Sequence, residues 1–472
     1  MSGGDCWHME TPYLVSFDIF QQLVLWLNSS TNSHRKGRQY LEKMPTLLHA
    51  GIEKELERLH LAHQHDQADI KQSLHQHLLL LRHALQRGGS IRAIREAYIH
   101  VFGGFTLDCP PWVEEILRHR YFLQRLKRPE RTNRAYSKLL QQAIARMLPD
   151  NRIAPEVVAE WENELGSILT QSSHYTTQQE RLQAFQMAIR CHEAALRVFT
   201  LQSYPLQYAK TCMHLGLAYQ RSITTGSGTS LEQAIVYYET AAHIFAYYDC
   251  QEQWALAQTA LGSTHAQRPY RQGEEHLIQA LSCHLAVLEA TSPDASPTTW
   301  ATIQVNLGDT HIRLSKQGAR HHRLQALNCY KAALQVYTAH THPKEWADLH
   351  VRLAAVFQDM AEEQPAKRDT YIGCAIVCCE AALTRYSIST VPVEYAATLA
   401  TLGHLHCISS GENRLTNLEL AEHYYRNALQ IFTGQAFPEE SHYIYAKLHE
   451  AESQRQALLS PREAFAGIPA RV

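Results

Sequence analysis

Small and apolar residues in the C-terminal two thirds of the chain return to one helix face at a fixed interval. An alanine recurs at 188, 234, 280, 326, 375 and 421, at spacings of 46, 46, 46, 49 and 46. Four residues after each stand His192, Tyr238, His284, Tyr330, Cys379 and Tyr425; seven after stand Ala195, Ala241, Val287, Ala333, Ala382 and Ala428. Offsets of four and seven share one helix face. Small side chains on that face let a neighbouring helix come close, and the larger residue one turn along fills the remaining volume. The pattern predicts the second helix of a recurring pair.

A second anchor keeps nearly the same interval. A leucine followed by a small residue occurs at Leu165-Gly166, Leu215-Gly216, Leu261-Gly262, Leu307-Gly308, Leu353-Ala354 and Leu402-Gly403, with Leu448 following 46 later. Seven residues before the leucine comes an aromatic, Tyr208, Trp254, Trp300, Trp346 or Tyr395, and proline stands at 205, 297, 343, 392 and 438. Proline in a first helical turn loses no hydrogen bond, because its missing N–H would be unpaired there, so each marks a helix start. The stretches RSITTGSGTS (221–230), SKQGARHHR (315–323) and ISSGENRLTN (408–417) are rich in Gly, Ser and Asn and read as exposed connectors.

Leu-Gly on one helix, then Ala, aromatic, Ala at offsets 0, 4 and 7 on the next, resembles the tetratricopeptide repeat; NLGDTHIRL (306–314) with ALNCYKAALQVY (326–337) carries the likeness well. The interval exceeds that family's usual 34 residues. The longer form, with ALQVYTAHTHPKEWADLHVRLA (333–354), resembles the repeat arrays of bacterial proteins that often carry a C-terminal caspase-like CHAT peptidase domain. The resemblance covers about 157–459. RQYLEKMPTLLHAGIEKELERL (38–59) and IKQSLHQHLLLLRHALQRGG (70–89) resemble the helical lead-in of those proteins, and PPWVEEILRHRYFLQRL (110–126) begins a further helical pair. Only SPREAFAGIPARV (460–472) follows the Leu448 helix, which leaves no room for a peptidase domain. The expectation is a chain that performs no catalysis.

Composition adds little to this. Lys+Arg of 44 against Asp+Glu of 46 gives a formal charge of -2, which excludes a global electrostatic argument for nucleic acid or anionic lipid. Eleven cysteines, an odd number set mostly in helical patterns, fit a reducing cytoplasm better than a disulfide framework. The start MSGGDCWHME has no signal-peptide pattern. The stretch YLVSFDIFQQLVLWL (13–27), broken by Asp18 and Gln21-Gln22, reads as an amphipathic helix and not a membrane span.

Candidate chemistry gives way to packing at each place. His60, His63, His65 and Asp66 put two imidazoles on one helix face, too few ligands for a closed zinc site, and there is no HExxH or paired CxxC, so no metal or cofactor is expected. Cys191, Cys283, Cys329 and Cys378 share one register, and Cys374, Cys378 and Cys379 one helix; a recurring position in stacked pairs reads as core. His404, His406 and Cys407 lie beside a Leu-Gly step without a nucleophile elbow, and TTGSGTS (224–230) lacks the Lys-Ser/Thr of a phosphate loop. No catalytic residue is predicted.

Two binding surfaces remain. Arg118, Arg120, Arg125, Lys127, Arg128, Arg131, Arg134, Lys138 and Arg146 face Glu130 alone as opposing charge, with Tyr121, Phe122 and Tyr136 between them; such a strip suits phosphates or an acidic protein, although a solvated face explains it more simply. The array itself predicts a concave face lined by first helices, with Lys210, Arg221, Gln267, Asp309, Arg313, Asp348, Gln358 and His404 beside the Leu-Gly steps. The sequence therefore predicts an all-α solenoid. It has an N-terminal helical domain (1–156), an array of six tetratricopeptide-like pairs with a capping helix (157–459) and a flexible tail (460–472). Its predicted role is a cytoplasmic, non-catalytic scaffold or adaptor for a protein or peptide partner. A nucleic-acid-associated regulator and a sensor subunit of a separately encoded peptidase or effector are the alternatives.

Overall fold

A computed structural model of the chain describes residues 17–62, 68–103, 112–113, 129–150, 153–171, 178–222, 229–268, 274–294, 296–316, 318, 321–410, 413–435 and 437–459. Their regular structure is helical throughout, without a strand. The chain divides into two compact units, Met1–Arg271 and Gln272–Val472. Among the described residues no helix is long and apolar enough to cross a membrane.

The first unit opens with α1 (Phe17–Asn32), α2 (His34–Lys43), α3 (Ala50–Ala62), α4 (Ala68–Gln86) and α5 (Ile91–Phe102). Of the apolar stretch read as amphipathic, residues 13–16 lie outside the described residues; the rest, from Phe17, opens α1, which buries Phe20, Leu23, Trp26 and Leu27 against Leu41, Leu56, Leu81 and Tyr98. The Trp26 indole N–H donates to the Tyr98 hydroxyl at 2.8 Å, so the largest ring of this core has its polar atom paired. The stretch 38–59 does not run as one helix. Pro45 lacks an N–H and clashes with the preceding turn, so α2 stops at Lys43, a 3-10 turn covers Pro45–Leu47, and α3 begins at Ala50.

After α6 (Pro129–Met147) come α7 (Pro155–Gln171), α8 (Gln178–Val198), α9 (Pro205–Arg221), α10 (Thr229–Tyr247) and α11 (Gln251–Gln267). The second unit holds α12 (Glu275–Ala290), α13 (Pro297–Ser315), α14 (His322–Ala333), α15 (Pro343–Glu363), α16 (Arg368–Leu383), α17 (Pro392–Ile408), α18 (Arg414–Leu429) and α19 (Pro438–Leu459). Packing is sequential: α7 with α8, α9 with α10, α13 with α14, α15 with α16 and α17 with α18 form tight pairs, and within each unit successive pairs stack. From α7 onward each unit is thus an all-α stack of tandem helix pairs, as solenoids are built, while α1–α5 share a core of their own.

Local chemistry explains the repetition. Pro205, Pro297, Pro343, Pro392 and Pro438 each begin a helix. Four of those helices show the same start in full: the residue before the proline accepts a hydrogen bond from the N–H of the aromatic four residues on. The pairs are Tyr208 to Tyr204 at 2.8 Å, Trp300 to Ser296 at 3.0 Å, Trp346 to His342 at 2.9 Å and Tyr395 to Val391 at 2.9 Å.

The anchor alanines and the residues four and seven beyond them are all buried. The glycine of the Leu-Gly step lies against that second-helix ring: an added Cβ would stand 2.6 Å from Tyr238 at Gly216, 2.4 Å from Tyr330 at Gly308 and 2.9 Å from Tyr425 at Gly403. Gly166 meets His192 in the same way, at 2.5 Å. One pair differs on both sides at once, with Ala354 on the first helix and Cys379 on the second. The repeat is therefore a steric complementarity in which a Cβ and a ring alternate for one volume. In α19 the step reads Leu448-His449 and His449 is exposed, so no ring is seated there among the described residues.

Candidate interaction surface

The first-helix positions beside the Leu-Gly step are largely used within the molecule. The residue two beyond the leucine in one pair reaches the residue one before the leucine in the next. In the first unit Ser167 Oγ lies 3.1 Å from His214 Nδ1. In the second, Arg352 Nε donates to Asp309 Oδ1 at 2.9 Å. Asp309 also accepts from the Tyr330 hydroxyl at 2.6 Å, and Asp348 accepts from the Tyr386 hydroxyl. Burial would lower the Arg352 pKa, but the Asp309 carboxylate outweighs it and the net shift is upward. Both side chains of that ion pair are about two-fifths exposed, at 38% and 40%, so solvent screens it.

Each of the eight predicted groove residues has a definite place. Lys210 is half-buried and its Nζ donates to the Val101 carbonyl at 3.4 Å; burial lowers its pKa, with Glu160 opposing. Arg221 Nη1 donates to the Thr170 carbonyl at 2.7 Å, near the end of α7, where helix carbonyls lack internal partners. Gln267, like those two, belongs to the first unit and is exposed. In the second unit Asp309 and Asp348 serve the tyrosines just described, Arg313 is exposed, and Gln358 and His404 are half-buried. Burial holds His404 below the usual imidazole range and Lys447, one pair further on, adds to the shift. The structure draws Lys210, Arg221, Asp309 and Asp348 into contacts between helices; Gln267 and Arg313 are exposed.

Of the basic strip, Arg118, Arg120, Arg125, Lys127 and Arg128 lie outside the described residues, and Arg131 and Arg134 are described only as positions in α6. Lys138 and Arg146 are exposed, and the Arg146 guanidinium sits 4.3 Å over the Trp112 ring. Tyr136 is buried and donates to Glu164 Oε1 at 2.8 Å, so this aromatic serves packing.

The other candidates resolve along the same lines. His63, His65, Asp66 and most of TTGSGTS fall outside the described residues; His60 packs near His75, with ring centres 5.5 Å apart. Among the described residues no three His, Cys, Asp or Glu converge as a metal site would require. The recurring cysteines are less deeply set than a core reading expects: Cys378 is buried, while Cys191, Cys283 and Cys329 are half-buried. Burial pushes the Cys191 thiol up to about 12 and those of Cys329 and Cys378 up to about 11, so these three stay protonated at neutral pH. His406 Nδ1 lies 3.3 Å from Asn417 Oδ1, a contact between α17 and α18.

Arg352, Tyr386, His83 and His100 were not singled out in the sequence. Arg352 carries a signal all the same, since it precedes Leu353 as His214 precedes Leu215, and aligning first helices on that leucine exposes the pairing. Tyr386 shares the register of Phe199, Phe245, Tyr337 and Phe432, eleven beyond the anchor alanine.

No protein-family profile matches the chain, and no curated protein matches it. Among solved structures it is similar to one described as a "circular tandem repeat protein with novel repeat topology and enhanced subunit contact surfaces". The identity is 13% and the TM-score 0.22, over 93% of this chain and 97% of that one. So distant a likeness says nothing of shape or binding.

Proposed function

We propose that the chain is a non-catalytic scaffold of long tetratricopeptide-like helix pairs that holds a protein or peptide partner on the solvent side of its first helices. One observation carries the reading. In the second unit Gly308 against Tyr330 and Gly403 against Tyr425, with Ala354 and Cys379 in the pair between, set how each first helix is buried, and the polar residues beyond these steps include exposed Arg313 and half-buried Gln358 and His404 on three successive first helices. A row of polar side chains on a rigid, evenly spaced support suits an extended peptide or an amphipathic helix. By resemblance to arrays linked to CHAT peptidases, the scaffold acts as the sensor or adaptor of a separately encoded effector in the cytoplasm.

A photo-crosslinking amino acid placed in turn at Arg313 and Gln358, with Leu324 and Val377 on second helices as controls, tests the assignment in the native host. The reading expects one crosslinked partner from the first two positions and background from the controls. Crosslinking confined to Leu324 and Val377 overturns it.

A further inference from the structure

In the first unit, α4 and α5 meet the α7–α9 segment through a contact whose polar part is built around two histidines. The rings of His83 and His100 stack with centres 4.3 Å apart and planes 20° from parallel. His100 Nδ1 accepts a hydrogen bond at 3.4 Å from the backbone N–H of Leu206, in the first turn of α9. That donor has no partner within its own helix, and Tyr204, at the cap position, supplies no side-chain acceptor. Three further bonds tie the two segments together: Gln207 Nε2 donates to the His100 carbonyl at 3.3 Å, Lys210 Nζ to the Val101 carbonyl at 3.4 Å, and Arg87 Nη2, just past α4, to the Gln202 carbonyl at 3.0 Å. Ile99 packs with Ala159, Ala195, Phe199 and Tyr204, and Leu79 lies against the neighbouring cluster.

This geometry requires the His100 imidazole to be neutral and disfavours a charge on His83. A proton on His100 Nδ1 would point at the Leu206 N–H and add positive charge at a helix N-terminus, where the dipole is already positive. Stacked imidazolium rings repel, and His83 Nε2 is buried with no hydrogen-bond partner to receive its charge.

The charged groups around the pair offer no relief. α9 brings Lys210, and the turn after α4 brings Arg87; both disfavour a charged His100. α5 brings Glu96, which favours a charged His83 but is already held by Arg87 at 2.6 Å and Arg92 at 2.9 Å. From α7, Glu160 acts on Lys210, and Glu156 accepts from the Tyr204 hydroxyl at 2.7 Å. Just past α10, Tyr248 presents an uncharged ring 5.3 Å from that of His100. Burial is the largest influence on both histidines, holding His83 down to about 4 and His100 well below its ordinary value.

We propose that His83 and His100 form an acid-operated clasp, closed while both rings are uncharged and opened by their protonation, so that α1–α5 release the α7–α9 surface they cover. The covered surface includes Lys210 and Gln207, on a first helix. Release does not depend on a partner binding there, so the clasp stands apart from the scaffold reading.

Hydrogen exchange of the full chain, followed by mass spectrometry from pH 7.5 to 5.0 and corrected for intrinsic exchange rates, tests the clasp. Peptides covering 91–103 and 203–214 report opening, with 414–429 as the control. Each proton taken up on opening raises the opening equilibrium about tenfold per pH unit once the free ring titrates, so two protons give about 100-fold per unit below pH 6. The dependence should fall to about tenfold per unit in His83→Phe, which keeps an aromatic stack, and likewise in His100→Gln; if one variant fails to fold at pH 7.5, the other decides alone. A pH-independent opening in the wild type, or an unchanged slope in a folded variant, overturns the proposal.

Discussion

Placing a methyl group at Gly308 should destabilise the second unit, and removing the ring opposite should reverse the sign of that change. Alanine is intrinsically better in a helix than glycine by about 1 kcal/mol, so on propensity alone Gly308→Ala is stabilising. The new Cβ, however, would stand 2.4 Å from Tyr330 Cε1 and 2.8 Å from Cδ1. Tyr330 cannot give way cheaply: it is 2% exposed, and its hydroxyl donates to Asp309 at 2.6 Å. Overpacking of this kind costs roughly 1–3 kcal/mol, and dragging the phenol off a carboxylate forfeits about 1.5–3 kcal/mol more. The single substitution should therefore cost about 2–4 kcal/mol. In a Tyr330→Cys background the volume is vacant and the same substitution should stabilise by about 0.5–1 kcal/mol, reproducing the Ala354 and Cys379 combination found elsewhere in this chain. Urea titrations of the four proteins, followed by circular dichroism, give the coupling energy. We expect about 3 kcal/mol or more; additivity within about 0.5 kcal/mol would show that the two residues do not share a volume.

Three further outcomes follow from the same structure. Burial depresses the imidazoles of His77, His214 and His284 to about 4, below the 6.5 of the free side chain. The unfolded chain then binds more protons between pH 6.5 and about 4, so stability must fall as pH drops through that window, by up to about 3 kcal/mol per site at its lower end. Urea midpoints at pH 7.5 and 5.0 check the sign, and an equal or higher midpoint at pH 5.0 refutes it. Arg414→Ala removes a guanidinium that donates to the Cys407 carbonyl at 2.6 Å and the Ser409 carbonyl at 2.8 Å. It should cost about 2 kcal/mol and raise hydrogen exchange at the end of α17, with α13 as the unaffected control. Arg352→Gln breaks an ion pair exposed to solvent while leaving Asp309 to accept from Tyr330, and should cost under about 1 kcal/mol, an effect that shrinks further in 0.5 M salt; a loss above about 2 kcal/mol would mean the pair is far better shielded than its exposure implies.

The parts legible in the sequence are those that each repeat restates locally. Leucine, glycine, alanine and ring recur because every pair solves the same packing problem with its own residues, and proline marks helix starts because its effect is confined to one turn. The Ala354 and Cys379 exchange was visible as two departures from pattern, but only the facing of the two helices shows them to be one. Long-range polar contacts were not legible. His100 meets Leu206 across 106 residues, and nothing in either neighbourhood announces it. Lys210 and Asp309 look like free surface charges in a helical pattern, yet they bond to Val101 and Arg352, since contact between successive helices decides which side of a polar residue meets water. Pro45 carries the break between α2 and α3, an effect confined to its own turn.

Affinity capture from the native host, comparing the wild-type chain with an Arg313→Glu/Gln358→Glu variant, addresses the scaffold reading most directly. Melting curves of the two proteins, compared first, establish that the variant keeps its fold. The account predicts a reproducible protein partner that the wild type retains and the variant loses. Recovery of the same partners at the same yield by the variant, or turnover of a substrate by the purified chain, would contradict it.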